Sequence, residues 1–153
     1  GIGQAVFVGD ASGSDKRFSF SIPAPDSDTI HLFESAIDLL SYATLVKMNG
    51  GNWNREHLVS LAGVYKPKEE LQESSMPLAL KRYLSEHPGI RKITLRLDND
   101  AAGGRAAKAL ISMLSGRYEV SVQPPLCGKD YNDFLCMRLG LPTTHRKGKT
   151  AER

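Results

Sequence analysis

Asp98 and Asp100 stand one residue apart in LRLDNDAAGG (95–104), after a short apolar run and before small residues and two glycines. In an extended segment residues i and i+2 point the same way, so both carboxylates can reach one hard cation while Asn99 points elsewhere. Glu34 opens ESAID, with Asp38 one helical turn later on the same face. Asp130 and Asp133 lie in KDYND. Carboxylates that converge repel one another and raise their own pKa values, a cost that a bound Mg²⁺ relieves. Gly103 and Gly104 leave room for a phosphate at the start of the next helix, whose free N–H groups favour anions.

Each motif also has a plainer reading. An Asp-x-Asp before a helix serves as an N-cap and a turn, Glu34 as a first-turn acid favoured by the helix dipole, and KDYND as the opening of a last helix. The set decides between them, because independent caps have no need to occupy the same edge of a sheet.

The elements that must position these residues can be read from periodicity. QAVFVGD and KRFSFSI alternate apolar and polar residues around ASGSD, which predicts a β-hairpin, and PAPDSD links it to a short apolar strand, TIHLF (29–33). ESAIDLLSYATLVKM follows as a helix ended by Asn49, Gly50 and Gly51. Ile37, Leu40 and Thr44 share one of its faces and Ala36, Leu39 and Ala43 the next, which predicts cover over much of its surface. HLVSLAGVY (57–65) reads as a second strand, and LQESSMPLALKRYLSEH holds a helix stopped by Pro88 and Gly89. RKITLRLD (91–98) is a third strand, with Ile93, Leu95 and Leu97 on one face. A helix from Ala101 to about Leu114, a strand in YEVSVQPP and a short helix in YNDFLCMRLG complete the chain. Strand and helix alternate four times, so the fold class is α/β, a mostly parallel sheet of about four strands with helices on both faces. Sites in such sheets gather at the carboxyl ends of the strands, where Glu34, Asp98, Asp100 and Asp130 fall.

Composition bounds the rest. A chain of 153 residues, 41% hydrophobic, fits one compact domain, divided here into an N-terminal hairpin and linker (1–28), a core (29–141) and a basic tail expected to be disordered (142–153). The net charge is +3, and HRKGKTAER (145–153) supplies 4 − 1 = +3 of it, so the remainder is neutral. A tail of that kind can touch phosphates, but a solvated, frayed terminus is the plainer reading. No apolar run of about 18 residues and no leader is visible, which predicts a cytoplasmic protein without membrane contact. The first residue is not Met, as expected of a piece cut from a longer protein. Cys127 and Cys136 lack zinc-site spacing and read as reduced thiols. Trp53, Met48 and the other aromatics read as packing residues rather than base-stacking platforms.

ESAID, LDNDAAG and KDYND together resemble the glutamate, Asp-x-Asp and third acidic motifs of the Toprim domain shared by bacterial primases, topoisomerases and some nucleases. With SGSDKRFSF and LVSLAGV added, the pattern is most similar to the Toprim-containing, primase-like proteins of bacterial conjugative and other mobile elements, over roughly residues 12 to 140. The resemblance implies a Toprim, Rossmann-like fold. It makes Glu34 the general acid/base or a metal ligand, and Asp98, Asp100 and Asp130 the holders of Mg²⁺, with Mn²⁺ as a substitute. Asp38, Asn132 and Asp133 would support them, and Gly103, Gly104, Lys129 and Arg105 would meet phosphate, with Lys108 a further candidate. The primase pattern usually reads Asp-Pro-Asp in its third motif, and the Asp130-Tyr131-Asn132 found here has one carboxylate fewer, which puts a second metal in doubt.

The implied activity is Mg²⁺-dependent phosphodiester chemistry on DNA or RNA, as a nucleotidyltransferase or a nuclease, alongside further domains of a parent protein. A non-catalytic nucleic-acid or nucleotide-binding module on the same scaffold is the alternative, favoured by the neutral body, since DNA-processing surfaces normally carry a basic stripe. An unrelated Asp-dependent phosphotransferase or phosphatase shares only the strand-end aspartates.

Overall fold

The computed structural model describes residues 20–61 and 76–143. Its strands are β1 (Ser21–Ile22), β2 (Thr29–Phe33), β3 (His57–Ser60), β4 (Lys92–Leu95) and β5 (Glu119–Val122). Its helices are α1 (Ala36–Met48), α2 (Leu78–Glu86), α3 (Ala101–Leu114) and α4 (Tyr131–Leu139). The expected alternation is present in the expected order. Most of the N-terminal hairpin and most of the basic tail lie outside the described residues, as does HLVSLAGVY beyond Leu61.

The five strands lie in the order β1-β3-β2-β4-β5. β3, β2, β4 and β5 are mutually parallel, and β1 adds an antiparallel edge, with Ser21 opposite Val59. Period-two alternation then sorts the side chains. Ile30, Leu32, Val59, Ile93 and Leu95 face α2 and α3 in one apolar cluster with Leu80, Leu84, Leu110 and Leu114. Phe33 and Leu58 face the other way, toward α1 and α4, with Leu39, Leu45 and Tyr131. Helices therefore cover both faces, as a sheet of parallel strands requires.

One packing expectation for α1 is corrected. Leu39, Ala43 and Leu45 are buried, but Ile37 and Leu40 are 46% and 39% exposed. The buried face instead takes in Asp38 and Ser41, because α4 docks there: the Asn132 backbone N–H donates to Asp38 Oδ1 (3.2 Å) and Ser41 Oγ to Asn132 Oδ1 (3.2 Å). Hydrophobicity by itself does not choose the inward face when both faces are apolar; the polar docking contacts do. At its far end α1 closes in a Schellman turn, with Gly51 N–H on Val46 O (2.9 Å), Gly50 N–H on Lys47 O (3.0 Å) and Gly50 at φ +83°.

On the opposite face His57 is 1% exposed, and its Nδ1 meets two donors, the Ala24 N–H (3.2 Å) and the Tyr83 hydroxyl (2.7 Å). Burial lowers its pKa. Below about pH 6.5 the unfolded chain therefore takes up a proton that the folded chain refuses, and stability falls as pH falls. The loss in urea midpoint between pH 7 and pH 5 is expected to be smaller in His57→Gln than in the wild type. An identical loss in both proteins would show that His57 does not couple to folding.

Candidate functional site

β2 leads through α1 to β3 on one side, whereas β4 leads through α3 to β5 on the other. The carboxyl ends of the adjacent strands β2 and β4 thus flank the point where the chain turns outward in opposite directions, which is where an open α/β sheet leaves a crevice. Glu34 follows β2, Asp98 follows β4, Asp130 follows β5, and Asp38 enters from the first turn of α1.

Three helices begin at this edge. Ser35 caps α1, its Oγ accepting from Asp38 N–H (3.3 Å). Asp100 caps α3, its Oδ1 accepting from Gly103 N–H (2.7 Å), and Asp130 caps α4, its Oδ1 accepting from Asp133 N–H (2.8 Å). Three helix N-termini place partial positive charge where the acids collect. Capping and clustering therefore coexist at this edge: Asp100 caps α3, and Asp130 caps α4 while also standing among the clustered acids.

The geometry regroups the acids. Asp38, Asp98 and Asp130 each offer a carboxylate oxygen, and these oxygens lie within 4.8 Å of one another. Oxygens bound to one Mg²⁺ at about 2.1 Å stand roughly 3 to 4 Å apart, so the trio fits a hard cation after small side-chain adjustments. Asp100 lies outside the trio, with Oδ2 3.6 Å from Lys129 Nζ. Glu34 stands beside it, Oε2 accepting from the backbone N–H of Asp98 (3.2 Å).

The electrostatics record the convergence. Burial, and then the charges of Glu34, Asp38, Asp130 and Asp100, push Asp98 up to about 8. Burial and Asp130 push Asp38 up to about 6, against the opposing bonds from Asn132 and Ser35. Glu34 is also raised, chiefly by burial, while its bond from Asp98 N–H pulls the other way. Groups shifted in this way lower their energy by sharing a proton or a cation.

The remaining candidates take various places. Asn132 joins α4 to Asp38 as described. Asp133 is buried, and its Oδ2 accepts from Lys129 N–H (3.0 Å), so it fastens the turn before α4; its Oδ1 is buried with no hydrogen-bond partner among the described residues. Lys129 lies at the site and its carbonyl accepts from Asn99 N–H (2.6 Å), which ties the two acidic loops together. Arg105 and Lys108 are exposed on α3. Gly103 is buried against the chain's own backbone: a Cβ there would lie 2.0 Å from Asp98 O, whereas one on the exposed Gly104 would meet nothing within 4 Å.

A Toprim-like family profile matches residues 31–135, which takes in every acid of this edge. The chain belongs to the Toprim-like family. Among solved structures, this Toprim-like chain is similar to the primase fragment of the bacteriophage T7 primase-helicase protein, at 21% identity and a TM-score of 0.44, over 74% of this chain. It spans 40% of that fragment. No curated protein matches the chain in sequence. No helix among the described residues is long and apolar enough to cross a membrane.

Sequence reasoning missed a polar network beneath α1. Arg96 Nε donates to His31 Nδ1 (2.9 Å), and its Nη1 donates to the Tyr131 hydroxyl (2.9 Å), which in turn donates to Gln123 O (2.7 Å). The guanidinium also lies 4.4 Å from the centroid of the Tyr42 ring. Alternation along RKITLRLD was the available signal, since it sets Thr94 and Arg96 opposite the apolar trio of Ile93, Leu95 and Leu97. It also missed Gly128, where φ is +79° and a Cβ would stand 2.5 Å from Asp133 Cβ.

Proposed function

We propose that this Toprim-like chain carries out Mg²⁺-dependent phosphodiester chemistry on DNA or RNA, as primase-like nucleotidyl transfer or strand cleavage, within a larger DNA-processing protein of a mobile element. The observation that carries the reading is the convergence of Asp38, Asp98 and Asp130 beside Glu34 at the sheet's switch point. Asp38, Asp98 and Asp130 would hold the cation, with Mn²⁺ able to replace it, and Asp100 would orient Lys129. Bound Mg²⁺ supplies charge that offsets the phosphate and orients the attacking oxygen. Glu34, with its raised pKa, takes a proton from the attacking hydroxyl or water and returns one to the leaving oxygen. Lys129, 3.6 Å from Asp100, would contact a phosphate oxygen.

Glu34→Gln is expected to lower turnover by about 10²-fold or more while Mn²⁺ binding is retained. Cleavage of labelled single strands, primer extension and Mn²⁺ titration measure these effects. If neither this chain nor its full-length parent cuts or extends any nucleic acid with Mg²⁺ or Mn²⁺, the reading is overturned. The neutral body of the chain favours a second reading, a non-catalytic nucleic-acid or nucleotide-binding module. Salt-dependent binding unchanged in Glu34→Gln, without turnover, would select it.

A further inference from the structure

A cavity of about 540 Å³ opens between the C-terminal end of α1, the following turn and the sheet. It contains none of the clustered carboxylates. α1 spans both places, with Asp38 in its first turn and Lys47 in its last, about 13 Å apart along the axis. The volume lies within the range of roughly 300 to 1,000 Å³ typical of small-molecule sites.

The lining combines three chemistries. Tyr42 and Trp53 supply aromatic walls, and the Tyr42 ring is held by the Arg96 guanidinium at 4.4 Å. Lys47 and Arg55 stand exposed at the rim. Glu56 is the oriented acceptor: because Arg96 Nε–H always donates, His31 Nδ1 must accept, which leaves the ring proton on Nε2, 2.6 Å from Glu56 Oε1. Burial lowers the His31 pKa and keeps this tautomer neutral. Glu56 remains 38% exposed, open to a second donor. The α1 C-terminus by itself repels anions, so a ligand phosphate here depends on the two rim cations.

We propose that this cleft binds a nucleoside phosphate, with the base against Tyr42 and Trp53, a sugar hydroxyl or ring amine donating to Glu56, and phosphate at Lys47 and Arg55. Sequence by itself reads Trp53 as packing; its half-buried place on the cleft wall gives it both tasks. The site does not depend on the phosphodiester reading. Its ligand is either a free nucleotide or the phosphorylated end of a single strand.

Trp53 is the chain's one tryptophan, so its fluorescence reports this cleft. The 153-residue chain is titrated in EDTA with AMP, with adenosine and with a 5′-phosphorylated tetranucleotide. Saturable quenching by AMP identifies a free-nucleotide site, and saturable quenching by the tetranucleotide alone identifies a strand-end site. Lys47→Ala/Arg55→Ala is expected to weaken the binding ligand roughly tenfold, with little change in any binding of adenosine. No saturable quenching by either phosphorylated probe up to about 10 mM, or equal affinity in wild type and double variant, overturns the proposal.

Discussion

Asp98→Asn raises the melting temperature of the metal-free protein at pH 8 and removes the gain that Mg²⁺ or Mn²⁺ brings to the wild type. Asp98 is pushed up to about 8 by burial and by four neighbouring carboxylates. An unfolded aspartate titrates near 4, so between about pH 4 and pH 8 the folded chain holds a proton that the unfolded chain has released. Stability from this group is present at low pH and is lost as pH rises through that window. A four-unit rise corresponds to about 5 kcal/mol undiluted, which solvent at this half-buried position reduces to about 1 to 3 kcal/mol. Asparagine carries no charge to bury, so the variant melts roughly 2 to 8 °C higher in EDTA at pH 8 and loses that advantage near pH 4. The wild type recovers the difference when metal is added, by about 2.7 kcal/mol at a hundredfold excess over Kd, and the variant does not. Thermal melts at the two pH values, with and without metal, measure both effects. A variant that melts below the wild type in EDTA at pH 8 would remove the electrostatic account of the cluster.

Gly103→Ala and Gly104→Ala, at adjacent positions, are expected to shift stability in opposite directions. At Gly103 the added Cβ meets Asp98 O at 2.0 Å and Asp98 C at 2.8 Å, both backbone atoms that no rotamer can move. The N-terminus of α3 must retreat from the loop that carries Asp98, which costs about 3 kcal/mol or more and separates Asp98 from Asp38 and Asp130. Metal binding falls with it. At Gly104 the methyl meets nothing, and alanine's helix propensity contributes about 0.5 to 1 kcal/mol of added stability. Urea unfolding of the two variants side by side is the measurement. A Gly103→Ala protein with wild-type stability and Mn²⁺ affinity would show that the close approach does not hold the site together.

Much of the fold was legible because its signals are local. The helix Ala101–Leu114 has its expected bounds because Asp100 caps it and small, helix-favouring residues follow. Ile93, Leu95 and Leu97 are all buried because a period of two has one inward face. The α1 surface was not legible in this way, since apolar residues on two faces leave the choice to whatever docks. The candidate site divides along the same line. The acids were readable as strand-end residues, but the approach of Asp38 to Asp98 and Asp130 was not, because it depends on how α1 and α4 dock.

The sequence by itself determined the alternation of elements, the family and the strand-end position of the acids, all of which depend on neighbours a few residues away. The tertiary structure alone decided that Asp38 joins Asp98 and Asp130, that Gly103 bears on Asp98, and that Arg96 and His31 orient Glu56 beneath α1. Those relations join segments up to 92 residues apart, as between Asp38 and Asp130. They exist because β2 and β4 lie side by side while the chain leaves them in opposite directions, and no local pattern encodes that strand order.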